Sequence, residues 1–476
     1  MTTSDISLPH PATQSTLVFP LSTARRTVAL VGLLVSMFMT NIDSSIVNVA
    51  LPQLSHDLHV EAADTVWVAT AFLLSLACCL PLAIGLADQL GRKRLFMIGT
   101  PVFTLASLLC ALAPTLGLLV GGRILQGAAA SLIFAVVIPT YRQLFPPQRL
   151  GFVLGLNAMI VALGTCAGPT LGGLILAHLS WPWLFLINVP IGLAASLFVG
   201  FALPSHEPPR GAYDLRGALT AGAAIACFLV GVHQLADLST LWVALVLLAG
   251  CALFVRLFIR VERAAPAAVL PPELFTGRFA LALLTAFWSF FGQGVAFVAL
   301  PFLFQTAYHA TPLESALLFT PWPLVIVIVA PISGRLADKH PPAVLAVIGL
   351  SVFTAGLLSL ALLGGHPALW LVLVCTGLTG LGFGFFQSPN NRDMMSSAPG
   401  RFSGPAAGML NINRTLSQSA GAGAVGMALV LTGASSASLA SQASAANAVL
   451  FVAVAGAAVA VAVSVIKLRA SRQTTV

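Results

Sequence analysis

The chain has 476 residues, of which 58% are hydrophobic and only 8% are charged. Soluble globular domains carry roughly 25% Asp, Glu, Lys and Arg, so this composition excludes an ordinary soluble protein. It also excludes a collagen, a disulfide scaffold and a disordered tail. With so few polar side chains to face water, lipid must cover much of the exterior. The composition predicts a protein with many membrane spans.

Long apolar runs follow one another along the whole chain. A helix needs about 20 mostly apolar residues to cross a hydrocarbon core. The runs are continuously apolar, whereas the strands of a membrane barrel alternate apolar and polar residues. We therefore predict helices, whose backbone groups are satisfied internally, and an all-α membrane protein. The predicted helices lie near 27–50, 65–86, 95–116, 117–141, 151–177, 183–203, 215–235, 240–258, 279–306, 314–334, 342–364, 368–391, 405–432 and 444–466.

The placement of positive charge tests this arrangement, because Lys and Arg concentrate in cytoplasmic loops. With the N-terminus inside, every Lys and Arg except Arg123 and Arg414 falls in a predicted cytoplasmic segment. The alternation predicts about 14 helices with both termini in the cytoplasm. It also explains the net charge of +8 as a topology signal, so we expect no nucleic acid partner. Residues 1–26 lack the pattern of a cleavable signal peptide.

The tripeptide Leu-Ala-Asp occurs at 86–88, after helix 2, and again at 336–338, after helix 10. Two similar six-helix halves would place the copies six helices apart, yet they are eight apart. The surplus pair of helices predicts an insertion between two halves, a plan typical of secondary transporters. We divide the chain into a cytoplasmic tail (1–26), a six-helix bundle (27–203), a linker with two extra helices (204–278), and a second six-helix bundle with a short cytoplasmic tail (279–476).

Four motifs now carry a family resemblance. They are N-I-D-S-S-I-V-N-V-A-L-P at 41–52, L-A-D-Q-L-G-R-K-R at 86–94, R-I-L-Q-G at 123–127 and G-T-C-A-G-P-T-L-G-G at 164–173. Occurring in this order on these helices, they make the chain similar to the Major Facilitator Superfamily, in particular its 14-helix drug:proton antiporters. The resemblance implies two six-helix bundles plus two linker helices, and transport driven by the proton motive force.

Asp43 is the most informative single residue. A carboxylate inside an apolar helix is costly unless it is paired, hydrated or protonated. Counting from the predicted outer helix ends, Asp43 on helix 1 and Arg123 on helix 4 lie at similar depth and could meet. One reading is a static ion pair that fixes packing. The other is a switch, because burial disfavours the charged carboxylate whereas a nearby Arg favours it.

A switching Asp43 could bind a proton and a cationic substrate in turn, which would give exchange through one charge. Glu314, at the predicted outer end of helix 10, is a second candidate acid for this proton-coupling and cation-binding role. Its alternative reading is a helix cap, because negative charge is favourable at a helix N-terminus. We expect no metal site and no cofactor, with protons alone as the coupling ion.

The motif at 164–173, on helix 5, predicts a helix face without protruding side chains. Gly164, Gly168 and Gly172 recur every four residues, which allows close approach by another helix, and Pro169 should bend the helix. Packing alone would account for this, but the resemblance implies more. It implies that the motif, including Gly173, seals the two halves against leakage during exchange.

The motif at 86–94, in the predicted loop between helices 2 and 3, has two interpretations; we call it the loop motif. It is either a basic loop that determines topology, or, as the resemblance implies, a cytoplasmic gate that opens and closes during transport. Asp88 and Arg92 are four residues apart and flank the start of helix 3, so Arg92 could pair with Asp88 or with a neighbouring helix. The candidate gate residues are Asp88, Gly91, Arg92 and Asp338.

Polar and aromatic residues inside the helices predict a cavity. Aromatic side chains usually fill a bundle, but they also suit a broad apolar cavity, and an intramembrane Arg is rarely without a role. The candidate lining residues are Gln126, Trp288, Gln293, Gln387, Asn390, Asn411 and Arg414.

These observations together predict a multi-pass protein of the cytoplasmic (inner) membrane that is not an enzyme. The function implied is export of hydrophobic, cationic drugs or toxic compounds in exchange for protons, as in multidrug efflux and antibiotic resistance. An exporter of a metabolite, amino acid or siderophore with the same fold is the alternative. We expect lipophilic small molecules and membrane lipids as partners, and a monomer.

Overall fold

The structure is a computed structural model that describes residues 21–204, 214–234, 241–264, 272–275, 277–364, 367–398, 403–431 and 439–473. Each predicted helix corresponds to a long helix, and no strand occurs in these residues. The helices are α1 (Thr23–Ile46, extended by a 3-10 segment Val47–Ala50 and by Leu51–Asp57), α2 (Ala62–Leu90), α3 (Arg92–Ala111), α4 (Leu116–Leu144), α5 (Pro147–His178), α6 (Asn188–Ala202, after a short turn Trp183–Leu186), α7 (Leu215–Gln234), α8 (Leu241–Ala264), α9 (Gly277–Thr306), α10 (Pro312–Phe319 and Pro321–Lys339), α11 (Pro342–Leu362), α12 (Leu369–Ser397), α13 (Ser403–Leu431) and α14 (Leu439–Gln473).

Within the described ranges, 13 of these helices are long and apolar enough to cross a membrane. The remaining one, α13, carries Asn411, Arg414 and Gln418 through its middle and is correspondingly more polar. Lipid-facing positions cannot hold such residues cheaply, and α13 packs against α2, α7, α9 and α14. The helices therefore form a multi-pass membrane protein, as the sequence predicts.

Several predicted helix ends are wrong by five residues or more. Helices 8 and 12 end at Ala264 and Ser397 and not near 258 and 391. Helix 3 ends at Ala111 and not near 116, because Pro114 precedes Thr115, whose hydroxyl caps the start of α4. Helix 14 continues past 466 to Gln473, so Lys467 lies inside the helix and not in a cytoplasmic tail. Lys467 is 2% exposed there, which requires an internal partner.

Helix contacts repeat along the chain with an offset of eight helices. In the first bundle, α1 packs on α5 and α6, α4 on α2 and α3, and α3 on α6. In the second, α9 packs on α13 and α14, α12 on α10 and α11, and α11 on α14. The extra helices α7 and α8 pack on each other, and α7 also contacts α2 and α13. The fold is two six-helix bundles with an inserted helix pair.

The apolar core joins the two bundles at only one end. At the predicted outer end, a single core contains residues of both bundles, such as Ile46 of α1 and Phe297 of α9. Toward the predicted cytoplasmic end each bundle has a core of its own, with a small cluster around Ala83 and Ile412 between them. The structure is therefore closed on the predicted outer side.

Polar contacts reinforce this outer closure. The side-chain amide of Gln305 on α9 donates to the carbonyl of Val49, in the 3-10 segment of the first bundle, at 2.9 Å. The hydroxyls of Thr170 on α5 and Thr320 lie 2.7 Å apart. Thr320 marks the break in α10, where Pro321 begins the second segment. The 3-10 segment of α1 and the break in α10 therefore both form contacts between the two bundles.

Candidate functional site

Asp43 and Arg123 meet in the interior of the first bundle. An Nη1 hydrogen of Arg123 is donated to Oδ2 of Asp43 at 2.5 Å, and both side chains are 0% exposed. The second carboxylate oxygen, Oδ1, accepts from Asn188 at 2.6 Å and from Gln126 at 3.1 Å. The depth argument from the sequence thus paired the right two residues. It did not identify Asn188, the first residue of α6. An amide within an otherwise apolar run was the signal that could have indicated it.

A second layer of contacts holds these donors. Gln126 accepts from Nη1 of Arg123 at 2.9 Å and donates to the hydroxyl of Ser107 on α3 at 2.8 Å. The Nε of Arg123 donates to the carbonyl of Val68 on α2 at 2.8 Å. The guanidinium lies 4.3 Å from the ring centre of Phe72, a cation–π geometry. Five helices of the first bundle (α1, α2, α3, α4 and α6) therefore contribute side chains to one buried network.

This network can respond to a proton. A buried carboxylate is tolerated here because an Arg and two amides stabilise its charge. Adding a proton to Asp43 removes that charge and turns an acceptor into a donor. The charge of Arg123 then loses its partner, and one of the hydrogen bonds that Asp43 accepts must break. Protonation of Asp43 therefore changes the contacts of α1 with α4 and α6.

The structure contains a small cavity between the two bundles. Its volume is about 30 Å³, which is room for about two water molecules. Ser44, Ser45 and Asn48 face it from the first bundle, and Arg414 and Gln418 face it from α13. The remaining lining residues are Ala69, Leu73, Thr165, Gly294, Phe297, Val298 and Ala422.

Asp43 does not line this cavity, although its neighbours in the motif do. Its carboxylate points into the first bundle, away from the space between the bundles. In this conformation a substrate in the cavity and a proton on Asp43 would occupy different places. The sequence had suggested a single shared charge.

Of the seven predicted lining residues, Arg414 alone lines the described cavity. Gln293 lies behind it and accepts a hydrogen bond from Gln418 at 2.9 Å. Trp288 makes edge contacts with Phe287 and Phe291 on its own helix. Gln126 belongs to the Asp43 network, and Gln387 and Asn411 are half-buried on α12 and α13. The seventh, Asn390, belongs to a separate charged cluster.

That cluster joins α9, α12 and α14 near the predicted cytoplasmic end. Asp393 accepts from Arg278 at 2.7 and 3.1 Å and forms an ion pair with Lys467 at 3.0 Å. Lys467 also donates to Asn390 at 3.1 Å. The sequence assigned Arg278 to the linker and Lys467 to the tail, and both assignments are wrong because each cation reaches Asp393. The missed signal was an acidic residue within a helix-length segment.

The helix 5 glycines pack on α1 of the same bundle. A Cβ at Gly168 would collide with the hydroxyl of Ser45, and Gly172 lies against the carbonyl of Ile46. Gly164 is similarly close to Asn41. Gly173 differs, since a Cβ there would meet Ala316 of the second bundle. The helix runs through Pro169 without ending, so the motif joins α5 both to α1 and to the other bundle.

The loop motif connects α2 to α3 and contacts α4 through Arg92. Gly91 has φ 85°, a conformation that favours glycine, and ends α2 while starting α3. Arg92 donates to the carbonyl of Pro139 on α4 at 2.8 Å, and Asp88 is exposed. In the described residues Arg92 thus binds a neighbouring helix and forms no ion pair with Asp88. The side chain of Asp338 lies outside those that the structure describes.

Glu314 occupies an exposed helix start. Its carboxylate accepts from the backbone N–H of Thr311 at 2.8 Å, while its own N–H donates to the Thr311 hydroxyl at 3.2 Å. This reciprocal pair is a capping box. The geometry matches the helix-cap reading of Glu314, and it places the carboxylate away from both the Asp43 network and the cavity.

Comparison with known proteins gives the family. The sequence model of the Major Facilitator Superfamily matches residues 33–422. The transporter YebQ of Escherichia coli is 37% identical over 406 residues, 83% of this chain and 87% of YebQ. The riboflavin transporter RibZ of Clostridioides difficile is 29% identical over 397 residues, 83% of this chain and 86% of RibZ. The multidrug resistance protein B homolog of Mycobacterium tuberculosis is 32% identical over 359 residues, 74% of this chain and 66% of that protein. The chain belongs to the Major Facilitator Superfamily and is a membrane transporter.

Proposed function

We propose that the protein exports hydrophobic organic molecules from the cell in exchange for protons. The observation that carries this proposal is the buried network around Asp43, in which one carboxylate holds donors from two other helices. In this proposal Asp43 is the proton site, and the cavity between the bundles is the cargo site. The likeness to a multidrug resistance protein supports export.

Coupling between the two sites runs through α1. Asp43 faces the first bundle while Ser44, the next residue, faces the cavity. When a proton breaks contacts of Asp43 with Arg123 or Asn188, α1 shifts, and the lining residues Ser44 and Asn48 shift with it. The cavity therefore changes shape when Asp43 is protonated, and proton and cargo exclude each other without touching.

The driving force suffices for export. One proton crossing about 100 mV contributes about 2.3 kcal/mol, and one pH unit adds about 1.4 kcal/mol. Together these sustain a cargo gradient of several hundred-fold when one proton is exchanged for one uncharged cargo molecule. We further propose that the protein works as a monomer in the cytoplasmic (inner) membrane, with protons as its only coupling ion and no metal or cofactor.

The sequence prediction of a cationic cargo depended on Asp43 as the binding charge. Because Asp43 lies outside the cavity, we propose a hydrophobic cargo whose charge is determined by the residues that line the cavity. A second candidate is export of a metabolite such as a flavin, favoured by the likeness to a riboflavin transporter. Competition of riboflavin with a hydrophobic dye for transport would separate the two candidates.

The test uses reconstituted vesicles with an imposed pH gradient and a fluorescent hydrophobic dye. Asp43→Asn, whose side chain resembles protonated Asp43, should abolish dye accumulation driven by the gradient, and its dye binding should be weaker than that of the wild type and independent of pH. Asp57→Asn is the matched control, because Asp57 ends the same helical run but is partly exposed near the surface. Unchanged pH-driven transport by the Asp43 variant would contradict the proposal.

A further inference from the structure

Arg414 is a half-buried cation within α13, and it differs from the two fully buried cations of the described residues in having no partner anion. Arg123 pairs with Asp43, and Lys467 pairs with Asp393. Within the described part of the chain, Arg414 forms no ion pair or hydrogen bond, and its guanidinium lies 5.9 Å from the ring centre of Phe290. The side chain lines the cavity between the bundles.

The rest of the cavity also lacks negative charge. Its lining contains no Asp or Glu; its polar members are hydroxyls and amides. Of the buried acidic side chains that the structure describes, Asp43 and Asp393 are already paired, and Glu262 lies on α8 of the inserted pair and does not line the cavity. The cavity is therefore positively charged.

A positive charge kept inside a membrane protein without a protein anion favours an anion from outside. Desolvating an arginine is costly, and a buried charge is stabilised mainly by an opposite charge with matching hydrogen bonds. The guanidinium offers donors in a planar fork, which fits a carboxylate through two parallel hydrogen bonds. A cation entering the same cavity would meet repulsion from Arg414.

We propose that this cavity binds the carboxylate end of a hydrophobic organic acid, with Arg414 as its anion-binding residue. The amide of Gln418 donates one hydrogen to Gln293 and can donate its second to the carboxylate, while Leu73 and Phe297 contact the apolar body. The cavity of about 30 Å³ holds only the polar end, since drug-sized sites occupy roughly 300–1,000 Å³. The bundles separate further to admit the rest of the molecule.

This inference deepens the proposed function and rests on it. It also agrees with the direction of transport, because moving an anion out of a cell with a negative interior is favoured by the membrane potential. Proton coupling at Asp43 and anion recognition at Arg414 are distinct properties of distinct residues. Each can therefore fail while the other holds.

The test compares two dyes that share a xanthene ring system: fluorescein, which carries a carboxylate, and an esterified rhodamine, which is cationic. Fluorescence anisotropy measures the binding of each to the purified protein in lipid nanodiscs. The wild type should bind fluorescein more tightly. Arg414→Gln should weaken fluorescein binding about tenfold or more, in keeping with loss of a charge-assisted hydrogen-bond pair, and should not weaken rhodamine binding.

Two further variants keep the result interpretable. Gln418→Glu places a carboxylate in the cavity without removing Arg414, so it should weaken fluorescein binding and strengthen rhodamine binding. Arg335→Gln, which changes an exposed arginine of α10, should change neither. The inference would be overturned if the wild type bound rhodamine more tightly than fluorescein. It would also be overturned if Arg414→Gln weakened binding of both dyes equally and Gln418→Glu changed neither. Asp43→Asn should keep the preference for fluorescein over rhodamine even if it binds both dyes less tightly, which separates a failure of this inference from a failure of proton coupling.

Discussion

Asp43 and Ser44 are consecutive residues of α1, yet they face different parts of the molecule. The carboxylate of Asp43 contacts Arg123 at 2.5 Å inside the first bundle, whereas Ser44 lines the cavity between the bundles. One turn of one helix thus connects a charged network with a candidate cargo site. A rotation or shift of α1 would alter both at once.

Removing one donor from Asp43 should change the pH dependence of transport. Asn188→Ala deletes the amide that donates to Oδ1 at 2.6 Å, and the charged carboxylate loses stabilisation as a result. The neutral, protonated form is then favoured, so the pH of half-maximal transport should move upward by roughly one unit. The measurement is the rate of dye uptake by vesicles over a pH series.

The matched control for that variant is Asn157→Ala. Asn157 is buried and accepts a hydrogen bond from Tyr141 at 3.0 Å, far along the chain from the Asp43 network. It should lose similar stability without a shift in the pH profile. Equal profiles for the two variants would show that Asn188 does not act on Asp43.

Gly168 should be intolerant of a side chain. Gly168→Val places atoms where Ser45 and Ile46 of α1 already lie, so we expect α1 and α5 to separate. The variant should lose about 1–3 kcal/mol of stability and leak protons across vesicles in the absence of cargo. Gly121→Val is the control, since nothing lies within 4 Å of a Cβ at Gly121. A stable, non-leaking Gly168→Val protein would argue against a sealing role.

The charged cluster of the second bundle should be needed for stability. Asp393→Asn leaves Lys467, whose side chain is 1% exposed, without an anion, which should cost roughly 3–5 kcal/mol. The midpoint of unfolding in mixed micelles reports this loss. Replacing both members, with Asp393→Leu and Lys467→Met, should recover most of it because no buried charge then lacks a partner; the remaining Arg278 side chain is 55% exposed. A double variant as unstable as the single one would disprove the charge explanation.

Glu314 should not affect proton coupling. Its carboxylate is exposed and bound to Thr311 at the start of a helix, so Glu314→Gln should transport with the wild-type pH profile. The measurement is the same uptake series used for Asn188. A displaced profile would restore Glu314 as a second proton site.

Much of the fold is readable from the sequence, because apolar runs of membrane length report helices directly. The pairing of Asp43 with Arg123 was also readable, since depth in a helix follows from residue count. The direction in which the Asp43 side chain points could not be predicted from the sequence. Polar residues such as Asn41, Ser44 and Ser45 flank Asp43 along α1, so the sequence does not distinguish the helix face that turns into the bundle, and the neighbouring helices decide it.

Charge placement misled the sequence reading at one end of the second bundle. Basic residues usually mark a helix end at the cytoplasmic surface, so Lys467 and Arg278 appeared to lie outside the membrane helices. Asp393 stabilises both within the bundle. Because that pairing joins residues at least 74 positions apart, no local pattern could indicate it.

The most direct test asks whether cargo binding releases a proton from Asp43. Purified protein in weakly buffered detergent solution, with a pH-indicator dye, is mixed with a hydrophobic cargo that it transports. The wild type should release protons on binding, up to about one for each bound cargo, whereas Asp43→Asn should release none even at cargo concentrations high enough to occupy its cavity. Equal proton release by the two proteins would contradict proton coupling through Asp43.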